Sequence, residues 1–125
     1  MAELRYSLLL VFIISACSQA TASTKITISN KLSDCIKIDN TEVDYQNGIP
    51  MLEISHQKLK PISECGCRSV ISEYTSELEM DGYTSSLLTA KLIFEANKFK
   101  VPLATSKKII GDYSVLVNFS CSRPD

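Results

Sequence analysis

Four cysteines, one close pair and two distant ones, constrain the fold of this chain more than any other feature of its sequence. Cys65 and Cys67 are separated by one glycine, whereas Cys35 and Cys121 lie far from them on either side. Any bond from the close pair to the distant cysteines would fix the middle of the chain to both of its ends. In a small domain from an oxidising compartment, an even number of cysteines is typical of structural disulfides.

Three pairings of these four cysteines are possible. Closing Cys65 onto Cys67 would strain a bond that prefers a Cα separation of about 5.5–6 Å. Bonds to distant partners close long loops instead, and each should stabilise the fold by roughly 3–4 kcal/mol in the chain-entropy model. We therefore predict that each member of the close pair bonds to a distant cysteine, with Cys35–Cys65 and Cys67–Cys121 slightly favoured.

Two other uses of the close pair compete with structural disulfides. With His56 and a methionine thioether, the two thiols would offer soft ligands to copper or zinc. Bonded to each other, they would form a strained and reducible disulfide. The usual redox motif separates its cysteines by two residues, and a zinc site needs a second pair of ligands, so neither pattern is met. We therefore expect no metal and no cofactor.

The N-terminus has the composition of an export signal. Residues 1–16 contain an apolar run that is too short to span a bilayer, which needs about 20 apolar residues, and they are predicted to be a signal peptide. Ile-Ser-Ala-Cys resembles a bacterial lipobox, in which Cys17 would carry lipid and residues 17–24 would form a tether. An Ala-Thr-Ala site that would extend the signal to 1–22 is the alternative, and it would give a soluble periplasmic or secreted protein.

The charge balance limits the choice of partners. The chain has 13 basic and 14 acidic residues, for a formal net charge of −1. This gives no electrostatic case for binding nucleic acid or an anionic membrane surface. We expect membrane contact only through the lipid anchor, and a protein partner in the cell envelope.

Alternation of apolar and polar residues predicts strands along the rest of the chain. It is clearest at 25–32, 49–56 and 112–122. A short strand is predicted at 35–38, and residues 39–48 are predicted to be a loop that ends in an Asn-Gly turn signal.

Two segments in the middle of the chain also fit strands, with a helix as the alternative for each. In 68–81 the even positions, which include Val70, are the apolar ones, and the odd positions are expected in water. Several Ser and Thr residues argue against a helix there. In 83–96 the even face is apolar from Leu88 onward, although Ser85 could cap a helix. An edge-like strand at 99–103 follows.

About seven short strands predict an all-β fold, an antiparallel β-sandwich formed as a single domain by residues 25–125. A small β-barrel is the alternative. Residues 111–115, which include Tyr113, resemble the tyrosine-bearing corner of immunoglobulin-like sandwiches, although the chain has no tryptophan.

Two groups of titratable residues invite a functional interpretation. His56 is the only histidine, and no nucleophile or carboxylate pattern surrounds it, so we expect a strand residue at a sheet surface rather than a general base. The acidic run is expected to form a solvated face, with a surface for a cation or a basic partner as the alternative. That run consists of Glu73, Glu77, Glu79 and Asp81. We predict that the protein is not an enzyme.

The run from Pro61 through Cys65-Gly66-Cys67-Arg68-Ser69, behind a short export signal, resembles a group of small exported bacterial proteins of unknown function. The resemblance implies a Gram-negative envelope protein, here an outer-membrane lipoprotein that faces the periplasm or the cell surface. We predict a non-catalytic binding module, such as an inhibitor, immunity or accessory protein, that docks through a sheet edge or its acidic face. The alternative is a periplasmic copper-binding or thiol-redox protein that uses Cys65 and Cys67.

Overall fold

A computed structural model describes residues 24–123, and within them seven strands form two sheets. The strands are β1 (Ile26–Asn30), β2 (Ile36–Gln46), β3 (Ile49–Lys58), β4 (Ser72–Met80), β5 (Tyr83–Leu92), β6 (Lys98–Pro102) and β7 (Ser114–Cys121). One sheet has the order β1-β7-β4-β5 and the other the order β2-β3-β6. β1 runs parallel to β7, and the other neighbouring strands are antiparallel.

The inward side chains of both sheets form one hydrophobic core. Its fully buried members include Leu52 and Ile54 from β3 and Val115, Val117 and Phe119 from β7. Each sheet ends in two edge strands, so neither closes on itself. The predicted β-sandwich is therefore confirmed, and the barrel is not. No helix among the described residues is long and apolar enough to cross a membrane.

The prediction of a loop at 39–48 was wrong, because most of it continues β2. A β-bulge between Ile38 and Asn40 shifts the pairing with β3 by one residue. The less exposed positions before the bulge are Ile36 and Ile38, whereas Thr41 and Val43 after it have the opposite parity. A phase change of this kind hides a strand from a search for strict alternation. The Asn-Gly turn is confirmed, since Asn47 (φ 53°) and Gly48 (φ 78°) are both left-handed.

The segment 83–96 is a strand as far as Leu92, so its helix alternative was wrong. A second irregularity lies opposite Ser76 and Glu77, where Leu87 has no partner in the register with β4. Positions on the C-terminal side of this bulge follow the predicted even face, with Leu88 half-buried. Those before it have the opposite phase. A β-bulge therefore also explains why only half of this strand alternates as expected.

Two predicted faces need correction. Val70 lies outside β4 and is 66% exposed, although its parity had placed it on the inward face. Glu73 is buried on the odd face that was expected in water, because β4 is an inner strand with neighbours on both sides. Tyr113 precedes β7 and is exposed, so it does not share the inward face that begins at Val115.

Two side-chain hydrogen bonds join the sheets through their interior. The Tyr74 hydroxyl donates to the carbonyl oxygen of Pro102 at 3.0 Å, and the Ser76 hydroxyl donates to that of Leu103. Both donors come from β4, and both acceptors lie at the end of β6. The connection between β6 and β7 contains a short helix, α1 (Lys107–Ile110), whose first turn is capped by Ser106.

Candidate functional site

Both disulfides connect the close pair of cysteines to distant partners. Cys35 bonds to Cys65, with a Cα separation of 6.3 Å, and Cys67 bonds to Cys121, with a Cα separation of 5.2 Å. These are the two bonds that the sequence favoured. All four sulfur atoms are thus used in structural bonds, and disulfides of this kind indicate an oxidising, exported location.

The close pair lies outside the strands, at the end of a short helix. A 3-10 helix spans Ile62–Cys65, and Gly66 ends it in the left-handed conformation, with φ 87°. A side chain at this position would be strained, which explains why glycine separates the two cysteines. The turn directs Cys65 towards the start of β2 and Cys67 towards the end of β7. Gly66 is therefore the C-terminal cap of this helix.

The disulfides lie at one end of the sandwich, which we call the disulfide end. In the three-stranded sheet, the start of β2 at Ile36 pairs with the end of β3 at Lys58. In the four-stranded sheet, Ser72 pairs with both Leu92 and Cys121. These pairings place both ends of the β3–β4 connection and the start of the β5–β6 connection at the same end of the sandwich.

A largely aliphatic cleft of about 370 Å³ opens between these connections at the disulfide end. Its apolar lining comes from the 3-10 helix, from the segment before β4 and from the residues after β5. These apolar residues are Pro61, Ile62, Val70, Ile93 and Phe94, and the charged ones are Lys58 and Glu95. The volume is at the lower end of the range for ligand pockets.

Exposed aliphatic side chains extend the cleft into a patch. Val70 is 66% exposed, Leu59 53%, Ile93 45% and Ile71 37%. Single exposed apolar residues are common on soluble proteins and need no explanation. Val70 and Ile93 line the cleft, and Leu59 and Ile71 directly adjoin lining residues in the chain. Such a grouping is typical of an interaction site instead.

A cluster of aromatic rings connects this cleft to the core. Phe94 lines the cleft and lies edge-on to His56, Phe99 and Phe119, with centroid distances of 5.1, 5.6 and 5.8 Å. His56 is itself 3% exposed, so the prediction of a residue at a sheet surface was wrong. Burial lowers the pKa of His56, although the carboxylate of Asp39 acts in the opposite direction.

The imidazole of His56 has a structural environment. Its Nδ1 atom is buried without a hydrogen-bond partner, and its ring packs on two phenylalanines. Across residues 24–123, no three His, Cys, Asp or Glu side chains are grouped so that they could hold a metal ion. The arrangement is that of a neutral ring in an apolar core.

The acidic run lies along β4 and in the turn after it, and its members have different surroundings. Glu73 accepts a hydrogen bond from Arg123 Nε at 3.1 Å, and Glu77 accepts one from the Asn118 amide at 3.4 Å. One oxygen of Glu79 is buried without a partner, whereas Asp81 is exposed in the turn after β4. The structure therefore places three of these carboxylates along one sheet face, without a cleft.

Sequence reasoning missed the cleft, and it placed lipid at a residue outside the described part of the chain. Cys17 and the predicted signal peptide precede residue 24, where the description begins. The cleft residues come from connections rather than from alternating strands, so no periodic pattern marks them. Val70 had instead been assigned to the apolar face of the predicted strand at 68–81.

Comparison with known proteins places the chain among bacterial proteins. A family model described as "Uncharacterized protein conserved in bacteria (DUF2195)" matches residues 11–124. No curated protein and no solved structure matches the chain. The expected resemblance to small bacterial proteins of unknown function is thereby confirmed.

Proposed function

The chain belongs to the DUF2195 family of bacterial proteins, and from that premise we propose that it is a non-catalytic binding module of the cell envelope. The aliphatic cleft at the disulfide end carries this proposal. We propose that its occupant is an aliphatic segment of a partner protein, which makes the module an inhibitor, immunity or accessory protein.

The shape and surroundings of the cleft favour a polypeptide over a small molecule. Small ligands usually bind in pockets that enclose most of their surface. Here Val70 and Ile93 in the lining are themselves exposed, and the exposed Leu59 and Ile71 adjoin lining residues in the chain. An apolar centre of this kind, with charged residues such as Lys58 and Glu95 in its lining, is typical of protein interfaces.

The cleft is also held rigidly, which favours binding. The 3-10 helix is bonded through Cys65 to the segment before β2, and the segment before β4 is bonded through Cys67 to β7. Side chains on a constrained backbone lose less freedom when a partner binds, so more of the contact energy contributes to affinity.

We further propose that the protein is an outer-membrane lipoprotein anchored at Cys17. The Ile-Ser-Ala-Cys sequence at 14–17 and the short polar segment after it support this location. The two disulfides agree with it, since the periplasm is oxidising.

Photo-crosslinking in the cell envelope tests the proposed site. Ile93, at the cleft, and Ile109, at the opposite end, are matched positions, because they are 45% and 47% exposed. A photoreactive amino acid at Ile93 should trap a partner protein, and the same amino acid at Ile109 should not. Equal crosslinking from both positions would contradict the proposal.

Binding of the trapped partner to purified variants then gives the energetic test. Burying an aliphatic side chain is worth about 1.5–3 kcal/mol, so Ile93→Asp or Val70→Asp should weaken binding by roughly tenfold to a hundredfold. Ile109→Asp should leave the affinity unchanged. An unchanged affinity in both cleft variants, with unfolding midpoints equal to that of the wild type, would refute the role of the cleft.

A further inference from the structure

Among residues 24–123, the exposed large apolar side chains outside the patch at the cleft belong to three tyrosines and two isoleucines. Tyr83 is 62% exposed, Tyr45 47%, Tyr113 46%, Ile109 47% and Ile49 37%. The cleft patch is wholly aliphatic, so the two sets differ in chemistry as well as in position.

All five residues lie at the end of the sandwich opposite the cleft. Tyr45 and Ile49 flank the turn between β2 and β3, while Ile36, at the other end of β2, pairs with Lys58 at the cleft. Tyr83 follows the turn after β4. Tyr113 lies near the same turn, because the next residue, Ser114, pairs with Glu79.

The start of the described chain lies on the same surface. Thr24 lines a depression of about 430 Å³ together with Tyr45, Lys107 and Tyr113. The Thr24 and Tyr45 hydroxyls are hydrogen-bonded at 2.9 Å, and Lys107 Nζ lies 5.9 Å from the centroid of the Tyr45 ring. We call this end of the sandwich the tether end.

Chain length limits how far the tether end can be from a lipid on Cys17. The seven residues 18–24 reach at most about 25 Å when fully extended. The ten residue steps from Ile36 to Gln46 cover roughly 33 Å along the sandwich. A bilayer that holds Cys17 is therefore within reach of the tether end, while the cleft lies a strand length further away.

The residues at this end suit a lipid headgroup region. Tyrosine has an apolar ring and a polar hydroxyl, and it is enriched where membranes meet water. The charges at this end nearly balance, because Lys25, Lys107, Lys108 and Asp112 line the depression and Asp81 lies in the turn before Tyr83. This balance favours neutral, zwitterionic headgroups over anionic ones.

We infer that the tether end rests on the zwitterionic lipid surface to which Cys17 is anchored, with Tyr45, Tyr83 and Tyr113 at headgroup depth. The inference builds on the proposed lipid anchor. It adds an orientation, in which the cleft points away from the membrane.

Tryptophan fluorescence tests this orientation, because the chain has no tryptophan of its own. The lipidated protein is reconstituted into phosphatidylcholine vesicles with or without brominated acyl chains, as single variants Tyr113→Trp, Tyr83→Trp and Val70→Trp. Val70 is the control at the cleft, with an exposure of 66% against 62% for Tyr83. Brominated lipid should quench the emission of the two tether-end variants by about half, as expected for side chains at the boundary of headgroups and acyl chains. It should leave the emission of Val70→Trp unchanged.

Equal quenching at Val70 and Tyr83, or no quenching at either tether-end position, would overturn the inference. The native anchor is tested separately, by the mass of the N-terminal peptide. If that peptide carries no lipid, the same variants are produced from residue 17 onward and coupled through Cys17 to a maleimide lipid, since the other four cysteines are bonded in pairs. Quenching in the coupled protein would support membrane contact at the tether end even if the native protein carries no lipid. Absence of quenching in the coupled protein would refute that contact.

Discussion

The phenol hydroxyl of Tyr74 donates a hydrogen bond of 3.0 Å to the backbone carbonyl of Pro102, and it thereby joins the four-stranded sheet to the three-stranded one. Tyr74 is 2% exposed, and burial raises the pKa of its hydroxyl, so the group stays protonated and remains a donor at neutral pH. The contact between the two sheets therefore includes a directional bond in addition to apolar packing.

Removal of this hydroxyl should destabilise the fold. Tyr74→Phe keeps the ring but leaves a part-buried carbonyl without its donor, which costs about 1–3 kcal/mol. Urea unfolding at pH 7 measures the change. Tyr83→Phe, which removes a hydroxyl from a side chain that is 62% exposed, is the matched control and should be neutral. Equal stabilities for the two variants would show that the bond contributes nothing.

The two disulfides should differ in what they contribute to stability. They join residues 30 and 54 positions apart, and the chain-entropy model gives about 3.6 and about 4.2 kcal/mol for loops of these sizes. The double variant Cys67→Ser/Cys121→Ser should therefore unfold at a lower urea concentration than Cys35→Ser/Cys65→Ser. The reverse order would show that local packing around Cys35, rather than loop length, sets the contribution.

Stability should depend on pH through His56. Burial lowers the pKa of His56 below its usual value of 6.5, so the unfolded chain binds a proton more readily than the folded one. The free energy of unfolding should be unaffected by this group above pH 6.5 and should decrease as the pH falls from there. The decrease stops below the lowered pKa, and its slope is at most about 1.4 kcal/mol per pH unit.

The variant His56→Leu isolates this contribution. Urea unfolding between pH 7.5 and pH 5 should show the wild type losing stability relative to the variant as the pH falls, since both proteins share every other titrating group. Curves that stay parallel would mean that the pKa of His56 does not change on folding.

Lipidation should depend on Cys17. The native protein should partition into detergent with the membrane fraction, and Cys17→Ala should release it in soluble form, because the thioether can then no longer form. Mass spectrometry of the N-terminal peptide identifies the acyl chains. A native N-terminus at Ser23 without added mass would establish ordinary secretion instead.

The parts of the fold that the sequence predicts well are those in which one physical rule acts alone. In β3 and β7 the alternation is unbroken, and Leu52, Ile54, Val115 and Val117 are buried as expected. The disulfide pairing also follows from one rule, because a bond between Cys65 and Cys67 would be strained. Where a bulge shifts the phase, as between Ile38 and Asn40, alternation predicts the wrong structure.

The site was harder to predict than the fold, because it depends on long-range pairing. Val70 and Ile93 are 23 positions apart in the sequence and meet only because β4 and β5 form a hairpin. The burial of Glu73 likewise follows from the position of β4 between two neighbours, which local pattern does not encode. His56 shares the buried face of β3 with Leu52 and Ile54, but the phenylalanines that cover it come from other segments.

The parallel pairing of β1 with β7 determines how the domain responds to mechanical force. A pull between a tether at Thr24 and a partner at the disulfide end acts along the axis of β1, so the hydrogen bonds from Ile26 to Asn30 are loaded together in shear. Bonds loaded in shear must break at once, whereas those of a strand peeled from its end break one by one. If β1 does slide free, the Cys35–Cys65 bond lies next along the chain, and a covalent link then carries the load.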